Sequence, residues 1–425
     1  MKKLLCLLSG LILFFGGATP VRADPVDEIA LDYAELALGA QLLQSPNVEV
    51  DMGLAEQLAG AKAEARTSAQ IGEAAEALIG RLDALVPTDD AVADMRRRSL
   101  RARLAALDLR VRPPAEPLDV AEEVQRRFGF TPQFPALADY DATLAGLEAT
   151  MPGEGTLPER IAAMRRSAAV PADRIEAVFH AALAECRRRT AAHAPLEPET
   201  VEVEFVDDDL TPAQTMYRGN GRSVVRISRV IPTDVDRLLQ NACHEVYPGH
   251  HVHLLTLDRA LYRARGWSEW GAAIDSEPVF PVAEAIAEHG VYLAFPVEER
   301  IAFQRDVLYP LAGLTMQDEE QWRAYLTARP RLLGSTATIT RDFLTGAIDE
   351  ETARALLVKY RLQTPEAAQQ TIRMISAFGS FLIASDFGWY AVEQVMRGRS
   401  PEEQWALIRR MQSEPMLLSD VLALR

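Results

Sequence analysis

The sequence predicts a mainly α-helical protein with one small β element, and three observations carry that expectation. Apolar residues recur at helical spacing over most of the chain, as in Leu31, Ala34, Leu38 and Leu42. Two short stretches, Val201–Phe205 and Ser223–Val230, instead alternate apolar and polar residues, the period of a half-buried strand. Turn-forming residues cut the helical texture at Ser45-Pro46-Asn47, Pro87-Thr88-Asp89, Pro113-Pro114 with Pro117, and Pro152-Gly153. No repeat of fixed period is visible, which argues against a helical solenoid.

Taken in order, residues 1–23 read as a secretory leader. Lys2 and Lys3 form a positive start, Leu4 to Gly17 is apolar, and Val21-Arg22-Ala23 is a small-residue cleavage site. The apolar run is too short, and its flank too polar, for a membrane span. Cys6 sits too early, and in the wrong context, to carry a lipid anchor. The mature chain is therefore expected to start near Asp24, exported or periplasmic, and soluble. Residues 24–199 form a helical region, including a helix from Pro171 to Ala192, and residues 200–425 carry the chemistry. The two are expected to fold as one composite domain.

The 425 residues carry a net charge of −16, and loss of Lys2, Lys3 and Arg22 with the leader makes the mature chain three units more negative. Nucleic acid and anionic lipid are therefore unsuitable partners, since both need a cationic surface. No Cys-x-x-Cys occurs, so a thiolate metal cluster is not expected. Cys186 and Cys243 are expected as two buried free thiols.

The densest chemistry lies just after the β element, in His-Glu-Val-Tyr-Pro-Gly-His-His at 244–251. It places three of the chain's seven histidines beside one carboxylate. His-Glu followed closely by another His is how a zinc hydrolase sets two imidazoles and a general base around one ion. Thr233 or Asp234, after Pro232, is a suitable N-cap. Val235, Leu238, Leu239, Ala242 and Val246 then mark the buried face of a helix that carries His244 and Glu245.

In a regular zinc helix the second imidazole comes four residues after the first, and here that position is Pro248. Proline removes a donor and glycine permits unusual angles, so the helix must bulge or break at 248–249. A bulge favours His250 as the partner of His244. His251 is the alternative, two turns away in an unbroken helix, and His253 is expected outside the ligand set. The third ligand must be one of Glu269, Asp275, Glu277, Glu284 and Glu288. Glu277 and Glu284 are seven apart and share a helix face, and spacing alone does not choose between them.

These residues resemble a known family. HEVYPGHH is similar to the HExxPGHH signature of domain-of-unknown-function family 885, predicted zinc metallopeptidases related in fold to the thimet-oligopeptidase and carboxypeptidase Taq group. In that family a helix with E-G-W-A-L-Y-A-E follows. Its first Glu matches Glu277 here, and its second matches Glu284. The resemblance implies a large helical zincin-like domain with zinc held by His244, His250 and Glu277. Glu245 would be the catalytic base, with Glu284 behind the ligands or an alternative among them. It continues through Arg331–Leu333, Asp349–Ala353 and Arg373–Gly379, and reaches the N-terminal half only in texture.

The chain also departs from the pattern. Pro278-Val279 replaces Gly-Trp after the first acid. Ser335–Ile339 replaces Asp-Thr-Gly-x-His, and Arg373–Ser380 lacks the family's Tyr, Pro and Gln. The missing groups are of the kind that stabilise an oxyanion or anchor a substrate.

The expected activity is zinc-dependent hydrolysis of a peptide, or of a small amide or ester. One zinc ion would activate water, although these ligands accept other divalent metals. The strand around Val224–Val230 is expected to pair with an extended peptide, with Arg226 or Arg229 within reach of a substrate carboxylate. The alternatives are a metal-binding pseudoenzyme and a metal-free helical periplasmic binding protein.

Overall fold

The computed structural model describes residues 24–45, 53–271 and 277–425, with Glu277 described by its backbone alone. The leader at 1–23, Cys6, Asp275 and the Glu277 side chain lie outside the described residues. The described chain is mainly α-helical, and its strands form one three-stranded sheet.

Helices Pro25–Gln44, Ser68–Asp83 and Ala91–Val111 share a core built around Tyr33, Leu38, Ile71 and Leu104. Their starts are set by side-chain caps. Asp24 accepts from Val26, Asp90 accepts from Val92 and Ala93, and Thr67 forms a capping box with Gln70. The buried stripe of the first helix runs through Ala30, Tyr33, Ala34 and Ala37. Leu31, expected on that stripe, faces outward at 42% exposure.

These helices are tied to the rest of the chain by a buried ion pair. Arg96 donates to Glu269 at 2.7 and 3.1 Å, and its guanidinium lies 4.5 Å from the Trp267 ring centre. Glu269 is thereby committed to structure, which removes it from the candidate ligands.

The largest core runs from Tyr140 to Ile375 and crosses the boundary at 199/200. Within it, helix Ile175–Ala191 packs on helix Val235–Glu245, hereafter the motif helix. Cys186 and Cys243 face each other across this contact, fully buried, with Cα atoms 5.6 Å apart, and form a disulfide. This corrects the expectation of two free thiols. The pairing depends on how two helices dock, which 57 residues of sequence separation do not reveal. A loop of that length makes the cross-link worth about 4 kcal/mol in the chain-entropy account. Cys186→Ser with Cys243→Ser is expected to lower unfolding stability by about that amount in a denaturant titration. An unchanged midpoint would show that the bond adds nothing.

The sheet comprises β1 (Thr200–Val206), β2 (Ala213–Tyr217) and β3 (Arg222–Ser228), in the order β1-β3-β2. β1 pairs parallel with β3, and β2 antiparallel. The turn at Gly219–Gly221 joins β2 to β3 with three successive positive φ angles, of 72°, 54° and 73°. This corrects the expected role of Val224–Val230. β3 is the central strand, hydrogen-bonded on both sides, and has no edge to offer a peptide. Arg226 and Arg229 are held in exposed ion pairs with Glu204 and Asp207, at 3.0 and 3.2 Å.

Candidate metal centre

The motif helix starts where its sequence predicts. Asp234 accepts from Arg237 N at 2.8 Å, and Val235, Leu238, Leu239 and Ala242 are buried. The opposite face carries Arg237, Gln240 and His244, spaced by three and four residues.

The helix ends at Glu245, and a short helix resumes at His250. Between them the hydrogen bonds widen: Tyr247 N–H donates to Ala242 O, Gly249 N–H to Cys243 O and Val252 N–H to Val246 O. On an unbroken helix His250 would point about 120° away from His244. The widened turn instead brings the two rings to 4.8 Å between centres, nearly perpendicular at 85°. Gln412 pins the turn from outside, donating to Pro248 O at 2.8 Å.

Gly249 is required by contact rather than by its φ of −72°. A Cβ there would lie 1.7 Å from His244 O and 2.7 Å from Cys243 O, both backbone atoms that cannot swing aside. Gly249→Ala is therefore expected to open the turn, at a cost of about 3 kcal/mol, and to separate His250 from His244. Loss of metal binding together with a lowered melting temperature would check this, and an alanine variant that keeps both would refute it.

The third group comes from helix Phe280–Ala294, which packs against the motif helix and presents Glu284 and Glu288 one turn apart. One nitrogen each of His244 and His250 and one carboxylate oxygen of Glu284 all lie within 4.8 Å of one another. Glu284 is 3.2 Å from His250 Nε2 and 3.9 Å from His244 Nε2, and Ser385 donates to it at 3.3 Å. Glu288 lies 3.9 Å from His244 Nδ1 and accepts from Gln240 at 2.9 Å. The three clustered side chains are 15–18% exposed, sheltered yet reachable from solvent. Glu245 sits beside them, with Thr215 Oγ1 2.8 Å from its Oε2 and 2.8 Å from its backbone O.

The charge state of the cluster suits a cation. Burial works against the His250 imidazolium, yet the carboxylates of Glu284, Glu245 and Glu288 outweigh it and push its pKa up to about 9. Burial likewise opposes the Glu284 carboxylate, but His250, His244 and Ser385 hold it down at about 2. Two imidazoles and a carboxylate are the donor set of many catalytic zinc sites, so these residues fit one such ion.

His251 is turned away from this cluster. It is fully buried, 2.8 Å from Ser223 Oγ through Nδ1 and 3.4 Å from Glu199 through Nε2. Glu199 also accepts from Tyr247 at 2.9 Å and Arg187 at 2.8 Å. The network fixes the turn from behind. His253 is buried too, and burial with repulsion from His250 pushes it down to about 3.

Sequence reasoning named Glu284 and His251 without fixing their places. It named Glu288 among the candidate acids without choosing it, and did not single out Thr215, Ser385 or Glu199. The four-residue step from Glu284 to Glu288 was the one local signal available.

No family model matches the chain, and no curated protein matches it. Among solved structures it is similar to a protein described as a "putative lipoprotein" from Colwellia psychrerythraea, with TM-score 0.50 and 15% identity over 84% of this chain and 67% of that one. It is also similar to a "putative lipoprotein of unknown function" from Shewanella oneidensis, with TM-score 0.47 and 12% identity over 93% of this chain and 82% of that one. The first likeness is one of fold alone.

Proposed function

We propose that the chain is an exported zinc-dependent peptidase of the family 885 type, with His244, His250 and Glu284 as ligands and Glu245 as general base. One observation carries the reading. The helix break puts two imidazoles and a carboxylate within 4.8 Å of each other, directly beside a carboxylate that Thr215 orients. When bound, zinc supplies a Lewis acid and an acidified water. Glu245 takes the water proton and later gives it to the leaving amine. Thr215 holds one Glu245 oxygen and leaves the other for that proton. β2 is an edge strand beside the motif helix, and so is the strand an extended substrate would pair with. Export is supported by the leader and by the Cys186–Cys243 disulfide, a bond that persists in oxidising compartments.

A second reading has an observation of its own. Ile339 stands where family members carry a histidine, and it is fully buried in the core. A chain that keeps the metal and has lost this group is a metal-binding pseudoenzyme. Zinc analysis with a peptide-library assay separates the two. About one zinc per chain with cleavage supports the peptidase, and zinc without cleavage supports the pseudoenzyme.

The reading also sets a pH dependence. His250 must lose its proton to bind metal, and in the metal-free site it holds that proton to about 9 rather than the usual 6.5. Apparent zinc affinity should therefore rise about tenfold per pH unit and level off near pH 9. Competition with a chromophoric chelator across that range tests this, and levelling near pH 6.5 would contradict it.

A further inference from the structure

Two turns along the motif helix from His244, the character of the site inverts. Four guanidinium groups, Arg165, Arg237, Arg300 and Arg329, gather around three carboxylates, Asp234, Asp236 and Glu288. Two of the four are matched. Arg165 pairs with Asp234 at 2.8 Å, and Arg300 with Asp236 at 2.7 Å. Among the described residues the Arg237 side chain makes one hydrogen bond, 3.2 Å to the amide oxygen of Gln240. Neither Arg237 nor Arg329 is in an ion pair among the described residues. Arg329 begins the short turn Arg329–Leu332, which Trp389 pins by donating to Pro330 O at 3.4 Å. Trp389 in turn lies 5.3 Å from the Tyr292 ring, and Arg329 is within electrostatic reach of Tyr292 and Glu288.

A guanidinium drawn out of water with no counter-ion is costly. Arg237 registers that cost: burial pushes its pKa down, and Arg329 and Arg165 add repulsion that Glu288 and Asp234 do not offset. Both arginines are nonetheless partly exposed, as are His244, His250, Glu284 and Glu288. Both groups of side chains are therefore touched by solvent. The relay Arg237–Gln240–Glu288–His244 connects the two ends. Seven residues of helix separate Arg237 from His244 by about 10 Å, the span of roughly three extended residues.

We propose that Arg237 and Arg329 form a carboxylate-binding subsite that anchors a peptide substrate about two to three residues from the bond at the metal centre. The planar guanidinium fork matches a carboxylate with two parallel hydrogen bonds. The carboxylate can be the peptide's own C-terminus or an acidic side chain, and the test separates them. The inference rests on the peptidase reading for its substrate class, but its test uses binding alone.

The full mature chain carrying Glu245→Gln, which blocks turnover, is titrated calorimetrically with three probes, with and without chelator. These are acetyl-Ala-Ala-Ala with a free C-terminus, its C-terminal amide, and acetyl-Ala-Glu-Ala amide. Tighter binding of the free acid by about tenfold or more, abolished by adding Arg237→Gln or Arg329→Gln, assigns the subsite to the C-terminal carboxylate. The same advantage for the glutamate peptide assigns it to an acidic side chain. Equal binding of all three probes overturns the proposal. Thermal unfolding supplies a second readout. Burial and two neighbouring cations already disfavour the Arg237 charge, so Arg237→Gln should melt at or above the parent temperature, whereas Arg329, whose charge Glu288 and Asp236 favour despite burial, is read by binding alone. A fall of several degrees in Arg237→Gln would mark that residue as structural and overturn the proposal as well. Absence of hydrolysis by the unmutated chain would sink the peptidase reading while leaving the binding result standing.

Discussion

Replacement of Glu245 by Gln is expected to reduce peptide hydrolysis by about a thousandfold while leaving about one zinc per chain. Gln has the same shape, and its amide oxygen can still accept from Thr215, which lies 2.8 Å from Glu245 Oε2. Folding should therefore be unchanged. What the amide cannot do is take a proton at neutral pH. Glu245 is also one of three acids acting on His250, so its neutralisation weakens the cation field without emptying it. Elemental analysis and mass-spectrometric reading of a peptide library decide the matter together. Cleavage at the wild-type rate by the variant would assign the proton to another group. A zinc-loaded wild type with no cleavage would make Glu245 a remnant and favour the pseudoenzyme.

Much of the fold was legible because helix and strand periods are local. β1 and β3 lie where the alternating pattern put them. β2 was missed because Ala213–Tyr217 is five residues with no strong alternation, and becomes a strand by pairing with β3. The same non-local pairing buries β3 in the middle of the sheet, which no feature of Ser223–Val230 alone announces. The disulfide and the row of arginines are likewise products of helix docking. Arg237 and Arg329 are 92 positions apart in the chain, and nothing in either neighbourhood links them.

The site divides along the same line. Pro248 and Gly249 predict a break, and the break brings His250 to His244. The choice among the acids was beyond spacing, because a seven-residue step leaves Glu277 and Glu284 on one face. In the structure the helix begins between them. Pro281 lies in its first turn, so the helix starts at Phe280 and holds Glu284 firmly. Glu277 falls before it, in a short 3-10 turn.

Metal content across five variants should therefore distinguish the ligand set that the described side chains bring together from the one the family pattern implies. His244→Ala, His250→Ala and Glu284→Ala are each expected to lose zinc, because each removes one of the three donors that lie within 4.8 Å. Loss of a direct donor should cost more than the roughly 10- to 100-fold typical of a group behind the ligands. Glu288→Ala, which removes the carboxylate 3.9 Å from His244 Nδ1, should fall within that lower range. Zinc at a hundred times its dissociation constant stabilises a folded protein by about 2.7 kcal/mol. The wild type should gain that much in a thermal scan, and the three ligand variants little. Glu277→Ala is the decisive comparison. If it keeps zinc while Glu284→Ala loses it, Glu284 is the ligand, and the family's first acid has been replaced in that role by its second. If Glu277→Ala loses zinc and Glu284→Ala keeps it, the ion sits nearer the start of the acidic helix. The contacts of Glu284 with His250 and Ser385 would then belong to the metal-free state.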